Sequence, residues 1–339
     1  MDKLKYGGLI LENIQPFEYE FGGMTPIPKT LLFENGNAIP YLPENEMQVG
    51  VYFDTWGCVS FSALNAIETL ISRQFSDFNE SNRAWLLKNI YKNNKPNFSD
   101  RDLVVLSGTK IGTGNTARKV LETSQDKGII SEAKAPWDFT NRDPKVNIPE
   151  VYYAYNRTDK SESLAQEWND RFEILGERVA RHNWQDASKY GALQVFVNAW
   201  YMNNNGEYYN PTGGHNHAVM MADFQTRQIF DSYETNGSFL KTLSSWNDAF
   251  GWAYKFNIIE KNMTKPNIIN NSLVILVEGN GGIGLYLDGK IIVDNEAKLN
   301  SVFMARNSKD GYFSGGPTIS LTLKDWNKFE KIDLAGRPL

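Results

Sequence analysis

Cysteine is almost missing from this chain: Cys58 is the only one in 339 residues. One thiol cannot close an intrachain disulfide, and it cannot supply a cysteine-rich zinc site. The redox compartment stays open, with a reducing one favoured. Histidine is scarce as well, with His182, His215 and His217 the whole supply. No apolar run approaches the roughly 18 residues of a membrane-spanning helix, so no membrane span is expected. The opening MDKLKYGGLILENIQPFEYEF has no long apolar stretch, so no signal peptide is expected either. A basic excess is also lacking. Lys and Arg total 35 against 40 Asp and Glu, which argues against a phosphate-neutralising surface and hence against a nucleic-acid partner. No repeat of fixed period occurs. The single cysteine, the Asn/Lys-rich composition and the absent leader together suggest a cytoplasmic or virion-associated protein.

What is present suits a packed core: 41% of residues are hydrophobic and 22% charged. Residues 1–50 carry Pro16, Pro26, Pro28, Pro40 and Pro43, and read as an extended wrapping segment. After Gly57, the apolar residues Phe61, Leu64, Ile67 and Ile71 recur at helical spacing. Further helices are expected at 81–91, at 114–126 with Gly128 as the stop, and at 161–182. From about residue 191 the pattern turns to strands, in ALQVFVNAW, HAVMMADF and GWAYKFNII. These divisions give a mainly helical part at 51–185 and a mainly strand part at 186–260. A polar linker follows at 261–272, and then a small β domain at 273–339. In that domain Asp288–Gly289 marks a tight hairpin turn. The fold class is α+β.

Cys58 opens the first helix, directly after Gly57. There it would face unsatisfied N–H groups and the positive end of the helix dipole, which favour thiolate and lower the thiol pKa. A thiol nucleophile needs a base. His182 sits in VARHNWQD, at an expected helix end, where a surface role is the ordinary one. His217 begins an apolar strand, with His215 two residues before it, a spacing that can also chelate metal. Asp231 ends the run RQIFD, where a carboxylate can take the Nδ1 proton of an imidazole or simply cap a turn.

At this point the chain resembles the papain-like cysteine peptidases. GCVSFSALNAIE (57–68) resembles the nucleophile block of that family, and FSDRDLVVLSGT (98–109) its Leu-Ser-Glu-Gln-Glu-Leu segment. GTGNTARKVLETSQDKGIISE (112–132) is similar to the glycine-rich turn and helix. YGALQVFVNAWYMNNNGEYY (190–209) and HNHAVMMADF (215–224) resemble the strand blocks, the second holding the catalytic histidine. The likeness covers about 45–258.

The resemblance implies a two-subdomain fold, with a helical subdomain and a β-barrel-like one. Cys58 would be the nucleophile, His217 the base and Asp231 the orienter in place of the family's asparagine. The family's oxyanion glutamine stands six residues before the cysteine, where this chain has Tyr52. Gln48 is the alternative side-chain donor, beside the backbone N–H of Cys58.

The expected function is hydrolysis of peptide bonds in a polypeptide substrate, through a thioacyl-enzyme and without cofactor or metal. Two alternatives stand beside it. One is a related acyl-transfer enzyme of transglutaminase or amidase type. The other is an inactive scaffold whose C-terminal β domain binds a protein partner. The first residues, MDKLKYGGLILENIQPFEYEF, are extended enough to plug a groove.

Overall fold

A computed structural model describes residues 8–11, 30–199, 201–235 and 237–261, with the backbone of short strands between 273 and 321. The chain divides into two compact units, Met1–Lys261 and Asn262–Leu339.

The first unit is built on helix α1 (Cys58–Gln74), whose residues from Cys58 to Ile71 are all buried. A helix buried all round must satisfy its polar side chains internally. Ser62 donates to the Cys58 carbonyl at 2.6 Å, Glu68 accepts from the Phe98 N–H at 2.6 Å, and Thr69 reaches Met220 Sδ at 3.4 Å. Gln194 Nε2 crosses from the sheet to Val59 O at 2.8 Å and Ser62 Oγ at 2.7 Å. Shorter helices surround α1: α2 (Glu80–Asn89), α3 (Asp100–Leu106), α4 (Ala117–Lys127), α5 (Pro149–Tyr153) and α6 (Asp159–Arg171). Asn79, Ser99, Thr116 and Thr158 cap four of them through side-chain oxygens. Gly128 ends α4 at φ +65°, a conformation that glycine adopts without penalty. A two-residue pair, β1 (Tyr91–Lys92) and β2 (Lys95–Pro96), lies between α2 and α3.

The run 161–182 is helical only in its first half. After Arg171 the chain becomes strand β3 (Phe172–Ala180), which pairs along its whole length with β10 (Trp252–Glu260). The residues FEILGERVA carry no strong helical signal, and the open edge of β10 supplies the hydrogen bonds that decide them. His182 therefore follows a strand, in a short turn at Arg181–Asn183 ahead of α7 (Trp184–Ala187).

The strands β4 (Ala192–Val197), β7 (His217–Asp223), β8 (Gln228–Thr235) and β9 (Ser238–Thr242) complete a six-stranded antiparallel sheet. Its order is β3–β10–β4–β7–β8–β9. A small pair, β5 (Tyr201–Met202) and β6 (Tyr208–Tyr209), stands apart from it. The expected β-barrel-like subdomain is corrected here. The sheet is open, with β3 and β9 as its edges, and no sheet closes on itself among the described residues.

Alternation explains why an open sheet suffices. Ala192, Phe196, Ala218, Met220, Tyr254 and Phe256 join the core around α1. Their neighbours Leu193, Val195, Val219, Met221 and Ala253 form a second core with Trp184 on the other face. Both faces are covered, so closure is not needed to bury them.

The segment before α1 runs across these strands. Leu32 N–H donates to Lys189 O, Ala38 N–H to Ala222 O, and Gln48 N–H to Ser232 O.

In the second unit, β11 (Leu273–Val277), β12 (Ile283–Leu287) and β13 (Lys290–Val293) form an antiparallel meander, and β14 (Leu299–Asn300) pairs with β15 (Ser320–Leu321). Leu287 pairs with Lys290, while the turn residues Asp288–Gly289 lie outside the described residues. Among the described residues no helix is long and apolar enough to cross a membrane.

Candidate active site

Cys58 is the first residue of α1, with Gly57 as its cap. Any side chain at Gly57 would come within 2.6 Å of Val104 Cγ2, so the approach to the thiol is closely packed. The sulfur is 1% exposed and receives the backbone N–H of Ala218, the residue after His217. Helix placement alone predicts a lowered thiol pKa. In the folded chain the balance runs the other way. Burial pushes the Cys58 thiol up, the Ala218 N–H opposes it, and the nearby carboxylates of Asp54 and Asp231 add to the rise.

His217 starts β7 and is fully buried. Its Nε2 lies 2.8 Å from Asp231 Oδ1. The nitrogen facing the carboxylate is thus Nε2 and not the expected Nδ1. Asp231 sits inside β8 rather than at a turn, because β9 continues the sheet beside it. Its other oxygen, Oδ2, accepts from Lys241 Nζ on β9. Strand register explains the meeting. Met220 pairs with Phe230 and Ile229 with Lys241, so residues 217, 231 and 241 fall on one face as diagonal neighbours. Burial disfavours ionisation of Asp231. His217 and Lys241 together outweigh it and hold the carboxyl below its ordinary range. Lys241 is absent from the residues expected at the site from sequence. The signal available was a lysine within SFLKT, a strand otherwise apolar at its inward positions.

Gln48 is fully buried. Its Nε2 donates to Tyr233 Oη at 2.7 Å and to Asp54 Oδ1 at 3.3 Å. Tyr233 Oη donates in turn to Asp54 Oδ2. The Tyr233 ring lies 4.9 Å from that of His217 and covers the histidine. Asp54 Oδ1 also accepts the Trp56 N–H at 2.8 Å, and Trp56 holds φ +56°, uncommon for a bulky residue. Burial raises the Asp54 pKa against these three donors. Tyr52, at the family's oxyanion position, is 46% exposed and donates to Arg142 O at 2.6 Å. His215 stands apart, with its ring 5.1 Å from Phe250 and its Nε2 3.3 Å from Asn210 Nδ2.

The structure therefore brings Cys58, His217, Asp231 and Gln48 into one buried neighbourhood, spanned by Asp54 and Tyr233. No family model matches the sequence, and no curated protein matches it either. Solved structures do. Xylellain, a cysteine protease from Xylella fastidiosa, aligns over 76% of this chain and 96% of its own, at 18% identity and TM-score 0.45. A procathepsin B from Trypanosoma congolense aligns over 66% of this chain and 74% of its own, at 12% identity and TM-score 0.42. A cysteine protease of Carica candamarcensis aligns over 64% and 94%, at 16% identity and TM-score 0.38. These are likenesses of fold.

Proposed function

We propose that this protein is a thiol hydrolase that cleaves peptide bonds, with Cys58 as nucleophile, His217 as general base and acid, and Asp231 as orienter. The observation that carries the reading is the junction of α1 and β7. The sulfur at the start of the helix meets the N–H next to His217, while His217 is held from behind by Asp231 at 2.8 Å.

In the proposed reaction, His217 takes the Cys58 proton through Nδ1, the nitrogen not engaged by Asp231. The sulfur adds to the substrate carbonyl carbon, and the new oxyanion accepts the backbone N–H of Cys58 at the helix start. The C–N bond breaks, and the departing amine takes the proton from His217. Water then attacks the thioester, gives its proton to His217, and releases the acid as the thiol is reprotonated. Gln48 orders Asp54 and Tyr233 beside this centre. Its amide becomes a second oxyanion donor when it turns from Asp54 toward the substrate. Lys241 neutralises part of the Asp231 charge, so His217 is held without an excess of negative charge behind it.

The test uses a peptide library read by mass spectrometry, in the full chain and in a variant lacking residues 1–15. We expect cleavage that disappears in Cys58→Ala and His217→Ala. Neither form cleaving any peptide, with Cys58 alkylated by iodoacetamide at the same slow rate in wild type and His217→Ala, would retire the proposal.

A further inference from the structure

Lys241 is the only charged residue of β9, and it points into the protein, its side chain 1% exposed. A buried ammonium needs a partner. Asp231 Oδ2 on the neighbouring strand accepts from it, and the Tyr208 ring on β6 lies 5.6 Å from Nζ. The other oxygen of Asp231 is occupied as well. Oδ1 lies 2.8 Å from His217 Nε2 and accepts the Tyr233 N–H at 3.2 Å. Lys241 thus stands one carboxylate away from the imidazole.

Donor and acceptor chemistry decides what this row can do. An ammonium and a backbone N–H only donate, and an ionised carboxylate only accepts. With Lys241 on one oxygen and Tyr233 N–H on the other, Asp231 has nothing to donate to the ring. The imidazole nitrogen facing it must therefore carry the proton, which leaves Nδ1 as the acceptor. Nδ1 is the nitrogen that takes the Cys58 proton in the proposed reaction. An amide at position 231 would fail beside Lys241. The ammonium would claim the amide oxygen, and the amide NH2 would turn to Nε2. The ring proton would then move to Nδ1 and close it to the thiol. Charge acts in the same direction. Around His217 stand Cys58 from α1, Asp54 from the segment before it, Asp231 and Tyr233 from β8, and Lys241 from β9 behind Asp231. Of these groups only Lys241 is a cation, and it offsets the carboxylate.

We propose that Lys241 is a positioning residue of the site: acting through Asp231, it holds the His217 proton on Nε2, makes aspartate obligatory at position 231, and completes an Asp231–Lys241 pair that works as one neutral orienter. Its effect on turnover rests on the thiol hydrolase reading, whereas the proton arrangement does not. The pair is exchangeable only as a unit. With an apolar side chain at 241, an amide at 231 keeps its oxygen for Nε2 and for the Tyr233 N–H, and no charge is left over. Either change alone leaves an uncompensated charge beside the imidazole, negative in one case and positive in the other.

Four full-length proteins are compared: wild type, Lys241→Met, Asp231→Asn and the double variant. The readout is the ultraviolet absorbance of the Cys58 thiolate against pH, each protein corrected by its own Cys58→Ala form, with the thermal midpoint measured alongside. Lys241→Met leaves a bare carboxylate behind the ring and favours the imidazolium–thiolate pair. Its thiolate should appear about one pH unit lower than in wild type, a tenfold change in acid constant. Asp231→Asn should move it about one unit or more the other way, and the double variant should return to within about half a unit of wild type. A merely structural role lowers both thermal midpoints and moves both titrations alike. Titrations that shift in the same direction, or that coincide in all four proteins, would overturn the proposal. If Asp231→Asn does not fold, the remaining pair still decides: Lys241→Met must shift down and the double variant must not. Turnover of a peptide library separates this inference from the reading it extends. If the titrations shift in opposite directions and no form cleaves any peptide, the positioning role stands and the hydrolase reading falls. If wild type cleaves while the titrations coincide, the hydrolase reading stands and this one falls.

Discussion

Helix α1 connects two buried groups of carboxyls that respond to burial in opposite ways. At its start lies Asp231, 1% exposed, between His217 and Lys241. Further along the helix lies Glu68, also 1% exposed, among Glu46, Asp100 and Glu132. Burial raises every carboxyl pKa by penalising the charge. At Asp231 the His217 imidazole and the Lys241 ammonium outweigh that penalty, and the carboxyl is held low. Around Glu68 the neighbours are other acids. Burial and like charge act together, raising Glu68 and Asp100 and pushing Glu132 up to about 8. The second group survives by sharing protons and borrowing backbone donors. Glu46 and Asp100 are hydrogen-bonded side chain to side chain, Phe98 N–H serves Glu68, and Trp137 N–H serves Glu132 at 3.0 Å. The contrast teaches that burial depth does not set the ionisation state; the charge of the partner does.

Removing the acid from the first group breaks the comparison most severely. Asp231→Asn leaves Lys241 buried without its carboxylate, and it should cost about 3–5 kcal/mol in urea unfolding. In the proposed reaction it should also lower kcat/KM by about 10³-fold or more, because His217 loses the group that fixes its orientation. Removing the cation tests the same pair from the other side. Lys241→Met should cost about 3 kcal/mol. The double variant should lose less than the two single losses added together, as a coupled pair requires.

Lys241→Met should also shift acid unfolding. A carboxyl held low contributes stability that is present above the ordinary value of 3.8 and lost as pH falls through its folded value. Without Lys241 that folded value rises, so the midpoint of acid unfolding should move to higher pH. The acidic group has the opposite sign. A raised carboxyl contributes stability that is present below 4.5 and lost as pH rises toward about 8. Glu132→Gln should therefore stabilise the protein at pH 8 by on the order of 1–2 kcal/mol and leave its thermal midpoint at pH 4 nearly unchanged. The smallest effect is expected from Tyr233→Phe. It removes the hydroxyl between Gln48 and Asp54, at a cost of about 1 kcal/mol in thermal or urea unfolding.

Much of the candidate site was legible because each part has a local signature. Cys58 after Gly57 at the head of an apolar helix, and His217 at the head of an apolar strand, follow from periodicity. Gln48 was drawn in from ten residues before the cysteine. Lys241 was not legible, since a lysine in a strand ordinarily reads as solvent-facing. Only the register of β8 against β9 turns it toward Asp231. The strand at Phe172–Ala180 was missed for a related reason, as its partner β10 lies some eighty residues later and no local pattern announces the pairing. Barrel closure was expected from the family resemblance, whereas the sheet buries both faces while open.

By itself the sequence determined the element types and the residues able to do chemistry, because helix and strand periods and residue chemistry are local properties. It also led to the expectation of an extended N-terminal segment. Three things were decided only by the tertiary structure. It set the direction of the thiol's pKa shift, because burial of the sulfur penalises the thiolate. It chose Nε2 of His217 for Asp231, because strand register fixes which ring edge meets the carboxylate. It brought Lys241 to Asp231, because β9 lies beside β8 only in the folded sheet.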